Sequence, residues 1–372
     1  MTIVSSWPPF WWQPPCTFAR GFFLFAILIG MSDVLYRKYR PQNFKDVIGQ
    51  EQTVNALKGA IEAGNISHAY LFSGSRGTGK TSIARILARQ LKTSESDVYE
   101  IDAASNNSVE DIRALKESVS TLPFESEYKF YIIDEVHMLS KSAFNAFLKT
   151  LEEPPKHVIF VLATTEIEKL PDTIISRCQV HQFKKPNQKI LRTLVLNVSK
   201  KEGYSIEPSS ADLIALLGDG SFRDTHGILQ KVISASKDKK ISVEEVEMIT
   251  GAPRAVLVHE YIRGLVEKDP EKGIDALKKA TDTNVDMKVF FKLILQKMRY
   301  LLLLRYAPKM KNSIKNNVSE DDFDFLLEIA ENKNNVFNSQ TLLKLLSAYD
   351  EMKVSFLSEM PLELVLIDVA QE

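Results

Sequence analysis

Two cysteines in 372 residues, Cys16 and Cys178, are too few for a disulfide framework or a cysteine-bound zinc site. Their scarcity suits a reducing compartment, the cytoplasm. Charge of one sign is lacking too, since 47 basic and 48 acidic side chains leave a net charge of −1. That balance neither announces a nucleic-acid partner nor excludes one, because binding needs only a local basic surface. Long apolar runs are missing: Gly21 to Gly30 falls well short of the length a membrane-spanning helix needs. There is no internal repeat and no low-complexity tail. What is present is an ordinary globular composition, 44% hydrophobic and 26% charged, long enough for two or three domains.

Residues 1–30 differ from the rest. All three tryptophans (Trp7, Trp11, Trp12) lie there, and Arg20 is the one charged side chain before Asp33. A signal peptide would need a basic start and a small-residue cleavage site, and neither is seen. The segment reads either as upstream sequence, with Met31 opening the protein proper, or as an apolar, membrane-interacting tail. The first reading is preferred, and no membrane partner is expected.

The strongest motif is Gly74-Ser75-Arg76-Gly77-Thr78-Gly79-Lys80-Thr81, which fits G-x-x-x-x-G-K-[ST]. A short apolar strand, His68 to Ser73, precedes it. A helical pattern from Ser82 to Leu91 follows it. In that setting the glycines let backbone N–H groups turn toward phosphate oxygens, and the helix N-terminus adds partial positive charge. Lys80 can reach the β- and γ-phosphates, and Thr81 can ligate Mg²⁺.

Strand and helix patterns alternate from Val34 to about Phe183, the signature of a parallel α/β sheet. The expected strands are Ala69–Ser73, Val98–Asp102, Lys129–Asp134, Val158–Ala163 and Val180–Phe183. A capping box at Ser108 to Asp111 announces one helix, and Pro154-Pro155 stops another that begins after Ser140. Beyond Lys184-Lys185-Pro186 the strands are expected to cease. Residues 187–250 read as short helices, among them Ala211–Leu217, Arg223–Ala235 and Val243–Ile249. A third block, also helical, follows Gly251-Ala252-Pro253. Its longest helix, Asp286–Arg305, has a wide apolar face suited to core packing, with room for subunit contact. Asn312 to Glu320 reads as a polar loop, and Pro361–Val369 as a terminal helix.

Asp134 follows Lys80 by fifty-four residues and ends the apolar strand Phe130-Tyr131-Ile132-Ile133. A phosphate loop needs such a partner: Asp134 can hold the Mg²⁺ shell, and Glu135 can orient the attacking water. A later strand ends in Thr164-Thr165, hydroxyls placed near a γ-phosphate. Arg177, twelve residues past Thr165, can pair with carboxylates of its own chain or project into a neighbour's site. His68 and His137 stand apart from other ligand types, which argues against a metal site. Cys178 reads as a small buried thiol and Lys237–Lys240 as a solvated run.

These residues occur in one order with Val47-Ile48-Gly49-Gln50, Leu148 to Pro155 and Ser176-Arg177-Cys178. Together they resemble the AAA+ clamp-loader ATPases, most closely the gamma/tau family of bacterial DNA polymerase III. Ile101 to Ser105, Asp134 to Leu139, Tyr36 to Pro41 and Met360 to Leu364 fit the same family. The resemblance implies an α/β P-loop domain over 31–185, a helical lid over 186–251 and a helical collar over 252–372. It implies ATP and Mg²⁺ as ligands, with Gly74 to Ser82 cradling phosphates and residues 36–50, including Tyr39, Arg40, Pro41, Val47 and Ile48, flanking the adenine. Lys80, Asp134, Glu135, Thr165 (sensor 1), Arg177 (a finger acting in trans) and Arg223 (sensor 2) would carry catalysis. Partners would be other clamp-loader subunits of delta and delta-prime type, copies of the chain itself, the sliding clamp and primer-template DNA. As part of that holoenzyme it would be counted with a DNA-directed DNA polymerase.

Three departures stand out. The family usually carries four zinc-ligand cysteines before the Ile-Asp-Ala-Ala-Ser strand. Here Lys92 to Glu100 holds none, so no zinc is expected. The sequence stops where the collar should end, so a gamma-like form without the extra domains of a tau form is expected. Thr225-His226-Gly227 stands where the family has small and apolar residues, and a glycine inside that helix costs about 1 kcal/mol relative to alanine.

Overall fold

The computed structural model describes residues 34–283, 285–315, 318–332 and 335–371. The expectations for residues 1–30 lie outside them. Helix α1 (Leu35–Lys38) is followed by α2 (Glu51–Glu62), β1 (Ala69–Ser73) and α3 (Lys80–Gln90). Then come β2 (Val98–Asp102), α4 (Val109–Val119), β3 (Lys129–Asp134), α5 (Lys141–Glu152), β4 (Val158–Thr164), α6 (Asp172–Ile175) and β5 (Gln179–Gln182). The five strands are parallel in the order β2-β3-β4-β1-β5. All five agree with the sequence reading to within a residue at each end.

Why these segments become strands is plain from their burial. Every residue of β1 and β4, and all of β3 but Asp134, is buried. A parallel sheet covered by helices on both faces selects such continuous apolar runs. One face packs Leu71, Tyr131, Ile133, Phe160 and Leu162 against α4 and α5. The other packs Phe72, Phe130, Ile132 and Val161 against α2 and α3. Each such side chain contributes about 1.5–3 kcal/mol by leaving water. The Ser108 capping box opens α4 as expected, with Ser108 Oγ accepting from the Asp111 N–H.

Between α3 and β2 the chain needs only a 3-10 turn, Glu95–Asp97. The buried Asp97 carboxylate closes this corner by accepting the N–H groups of Phe124, Glu125 and Ser126 at 2.5, 2.9 and 2.9 Å. Burial alone would raise the Asp97 pKa, but these bonds outweigh it and hold the carboxyl below its ordinary range.

The rest is helical: α7 (Gln188–Lys201), α8 (Pro208–Leu217), α9 (Phe222–Ala235) and α10 (Val243–Thr250), then α11 (Ala255–Glu267), α12 (Pro270–Asp282) and α13 (Met287–Tyr306). Helices α14 (Lys311–Lys315), α15 (Glu320–Glu331), α16 (Ser339–Glu351) and α17 (Met360–Gln371) complete the chain. Two expectations need correction. Strands do not cease after Pro186: β6 (Ser205–Ile206) and β7 (Lys240–Ile241) form a small parallel pair, so the lysine run ends in a strand. Two-residue strands are too short to leave an alternating pattern. The polar stretch from Asn312 is not all loop either, because Lys311–Lys315 is helical and buries Ile314.

Helices α7 to α10 share one core, which includes Leu35 of α1. The Leu35 N–H also donates to Gln230 Oε1 at 3.0 Å, so the start of the described chain is fastened to the helical block. Helices α11 to α17 share a separate, larger core built on α13.

Candidate active site

Gly77 has φ +73° and Gly79 φ +104°, conformations that side chains other than glycine seldom adopt. At Gly77 the need is doubled, since a Cβ there would stand 2.0 Å from Ser221 Oγ. This close approach joins the loop to the start of α9, where the Phe222 N–H donates to the Gly77 carbonyl at 2.9 Å. The cleft between them is lined on one side by Arg76, Gly77, Thr78, Gly79, Lys80, Thr81 and Ser82. Asp134, Glu135 and Arg223 bound the same end, and Tyr39, Arg40, Pro41, Val47 and Ile48 line the other wall. Gly74 and Ser75 are not in that lining; their carbonyls accept from Lys80 Nζ at 2.7 and 3.0 Å.

Lys80 is only 6% exposed. Burial pulls its ammonium below the ordinary lysine range, while the Glu135 and Asp134 carboxylates oppose that shift. Thr81 Oγ1 donates to Asp134 Oδ2 at 3.0 Å, so the two oxygens that suit Mg²⁺ are already side by side. Arg40 is half-buried and is pulled down by burial first and then by Arg85, with Arg223 adding to the shift. A cleft that gathers Arg40, Lys80 and Arg223 and exposes loop N–H groups fits a polyanion with a divalent cation.

Glu135 sits at φ +49°, ψ +44°, a left-handed conformation uncommon outside glycine and asparagine. That turn sends its carboxylate to Thr165, whose Oγ1 donates to Glu135 Oε2 at 3.0 Å. Thr164 faces elsewhere: its hydroxyl oxygen accepts from the Glu166 N–H and lies 3.0 Å from His137 Nδ1. His137, isolated in sequence, therefore stands among Thr164, Glu135 at 3.5 Å and Glu166 at 3.4 Å. Arg177 is not brought to this cleft. Its guanidinium donates to Glu152 at 2.5 Å and to the Thr173 carbonyl at 2.8 Å. Burial pushes the Cys178 thiol up to about 12, which leaves it unreactive.

Sequence reasoning missed several residues at the cleft. Leu194 reaches it from α7, Ile83 from α3, and Phe222 and His226 from α9. His226 was findable, since it lies three residues past Arg223 on one helix face. Gln50, in the Val-Ile-Gly-Gln box, is buried and acts as a strap. Its amide donates to the Lys184 carbonyl at 2.8 Å and accepts from the Lys184 N–H at 3.2 Å.

A 2-3-4-1-5 parallel sheet, a phosphate loop after β1 and a carboxylate pair after β3 define a P-loop fold of the AAA+ class, followed by a helical lid and a helical collar. A mutant of RuvB from Thermotoga maritima shares the fold, with a TM-score of 0.52 at 18% identity over 85% of this chain and 98% of that one. A family profile described as "DNA polymerase III, delta subunit" matches residues 49–100 and 91–187. DNA polymerase III subunit tau of Bacillus subtilis is 39% identical over 315 residues, 79% of this chain and 56% of the relative. DNA polymerase III subunit gamma of Buchnera aphidicola subsp. Schizaphis graminum is 34% identical over 363 residues, 91% of this chain and 98% of the relative. The chain thus spans little more than half of the first relative and nearly all of the second. It belongs to the gamma/tau family of DNA polymerase III subunits, as the order of its motifs implied.

Proposed function

We propose that this chain is an ATP-hydrolysing motor subunit of the bacterial replicative clamp loader, acting in the cytoplasm, with no zinc module between α3 and β2. The observation that carries the reading is the convergence of Lys80, Thr81, Asp134, Glu135 and Arg223 on one cleft between the sheet and α9. Lys80 would exchange its two loop carbonyls for β- and γ-phosphate oxygens. Thr81 and Asp134 would hold Mg²⁺, which when bound neutralises phosphate charge. Glu135 would orient the attacking water, with Thr165 fixing its carboxylate, and Arg223 would reach the γ-phosphate from the lid. Arg177 would leave Glu152 on assembly and complete the site of a neighbouring copy. The units 31–185, 186–251 and 252–372 would serve as nucleotide domain, lid and collar. Delta- and delta-prime-type subunits, the sliding clamp and primer-template DNA would be the partners. Nucleotidyl transfer would belong to other members of the holoenzyme, because the residues gathered here are those of phosphate hydrolysis.

The test is steady-state ATP hydrolysis with companion subunits, with and without sliding clamp and primed DNA. Stimulation by both is expected. Arg177→Ala should abolish most of the assembled rate, about 1000-fold, while ATP binding by the isolated chain persists. A Lys80→Ala protein with the normal stimulated rate would end the proposal.

A further inference from the structure

We propose that Glu202 is a positioning residue for nucleotide binding: its bond to the Tyr39 hydroxyl fixes the Tyr39 ring as a preformed wall for the nucleoside, and so sets affinity rather than turnover. The inference rests on the ATP reading above. Tyr39 directly follows α1 and lines the cleft, whereas Glu202 is not part of the lining. Tyr39 Oη donates to Glu202 Oε1 at 2.5 Å. The same oxygen takes the Lys38 ammonium at 2.7 Å, and the Glu202 side chain is only 19% exposed. A hydrogen bond to an ionised carboxylate is about twice as strong as one between neutral groups. Both partners register it. Burial first, and then the Glu202 bond and charge, push the Tyr39 phenol up to about 12. Bonds from Lys38 and Tyr39 hold the Glu202 carboxyl below its ordinary range. At neutral pH the phenol therefore keeps its hydrogen and donates, and the carboxylate accepts.

Glu202 is poorly placed for its own helix. It is the C-cap of α7, just past Lys200 and Lys201. The C-terminal end of a helix carries partial negative charge, which disfavours a carboxylate there. What the residue supplies is the tie to Tyr39, 163 positions earlier in the chain. That tie acts on one part of the cleft. Lys80, Thr81 and Asp134 mark the phosphate end, while Tyr39, Val47, Ile48 and Leu194 form its more apolar wall. Such a wall suits a base and sugar better than a phosphate chain. Leu194 is on α7 itself, about two turns before Glu202, so one helix supplies both a piece of the wall and the tether that holds it. A tyrosine ring turns on two side-chain bonds, and ordering such a side chain during binding opposes association. Tyr39 is ordered beforehand, tethered at its hydroxyl, with the Lys38 and Lys201 ammonium groups 5.7 and 5.6 Å from its ring centroid.

The test is equilibrium binding of ATP and of inorganic tripolyphosphate to the full chain with Mg²⁺, beside steady-state hydrolysis with companion subunits. Glu202→Ala and Tyr39→Phe should each bind ATP about fivefold more weakly and bind tripolyphosphate, which has no nucleoside, as the unmodified protein does. In Glu202→Ala the loss should appear in KM, with kcat unchanged. Both substitutions remove the same bond, so the double variant should bind ATP no more weakly than either single one. Glu202→Gln keeps an acceptor for the phenol and should stay within about twofold of the unmodified protein. Lys38 still pairs with Glu202 when the phenol is gone, so Tyr39→Phe decides should Glu202→Ala fail to fold. Unchanged ATP affinity in Tyr39→Phe overturns the inference, as do an equal loss for ATP and tripolyphosphate and effects that multiply in the double variant. Failure of the unmodified protein to bind ATP at all overturns the ATP reading itself and this inference with it, a result distinct from an unchanged affinity.

Discussion

Lys80 in the phosphate loop and Lys297 in the C-terminal helices are buried alike, 6% and 5% exposed, and burial pulls both ammonium groups below their ordinary range. They are held in opposite ways. The hydrogen bonds of Lys80 go to two main-chain carbonyls of its own loop. Lys297 on α13 pairs directly with Asp322 of α15, which His259 of α11 also contacts at 2.8 Å while stacking on Phe325 at 3.8 Å. Burial alone would push Asp322 up. Bonds from His259 and Lys297 outweigh that and hold its carboxyl well below the usual range. The difference separates a cation held by neutral main-chain acceptors from a cation held by a full opposite charge. Neutral carbonyls would give up an ammonium to a polyanion more readily than a carboxylate does, because the carboxylate carries a full opposite charge.

The comparison breaks or sharpens under substitution. Lys80→Ala should lower hydrolysis about 1000-fold and leave the unfolding temperature nearly unchanged, as steady-state rates and thermal denaturation would show. Asp322→Ala should do the reverse, costing about 3 kcal/mol in urea unfolding by stranding Lys297, with turnover per folded molecule intact. Equal loss of turnover in both variants would erase the distinction. The same carboxylate sets a pH response. A folded pKa below the unfolded value, about 4, contributes stability that is fully present above pH 4 and is lost as pH falls below it. Asp322→Asn should flatten that acid limb, and an unchanged limb would put the linkage elsewhere. Thr165→Val should slow hydrolysis about tenfold without weakening ATP binding, whereas Thr164→Val should act through His137 and do less. The smallest effect is at Gly227, where a Cβ would meet no heavy atom within 4 Å. Gly227→Ala should stabilise the chain by about 1 kcal/mol.

Legibility in the sequence followed contact range. Strands β1, β3 and β4 could be read because each is a continuous apolar run buried on both faces, whereas β2 and β5, at the sheet edges, are largely exposed and show only as short segments between helical patterns. The phosphate loop and the Asp134-Glu135 pair could be read because their spacing carries the chemistry. Thr165 could be favoured over Thr164 on family resemblance, but the reason is visible only in space: Glu135 turns left-handed and meets Thr165. Leu194 at the cleft and the Lys297–Asp322–His259 cluster were invisible. Their partners lie 25 and 63 residues apart in the cluster, and no local pattern records such a meeting. The pair β6 and β7 was lost for the opposite reason, being too short to make a pattern at all.

The joint between Gly77 and the start of α9 has a mechanical consequence. A helix of 14 residues is a rigid rod about 21 Å long. Pinned at one end by the Phe222–Gly77 bond, it behaves as a lever whose fulcrum is the phosphate loop. A tilt of about 10° at that fulcrum sweeps its far end through about 4 Å. Leu35 is tied to the same helix through its bond to Gln230, and α9 shares its core with α7, α8 and α10, so a tilt at the loop would carry the helical block with it rather than one helix alone.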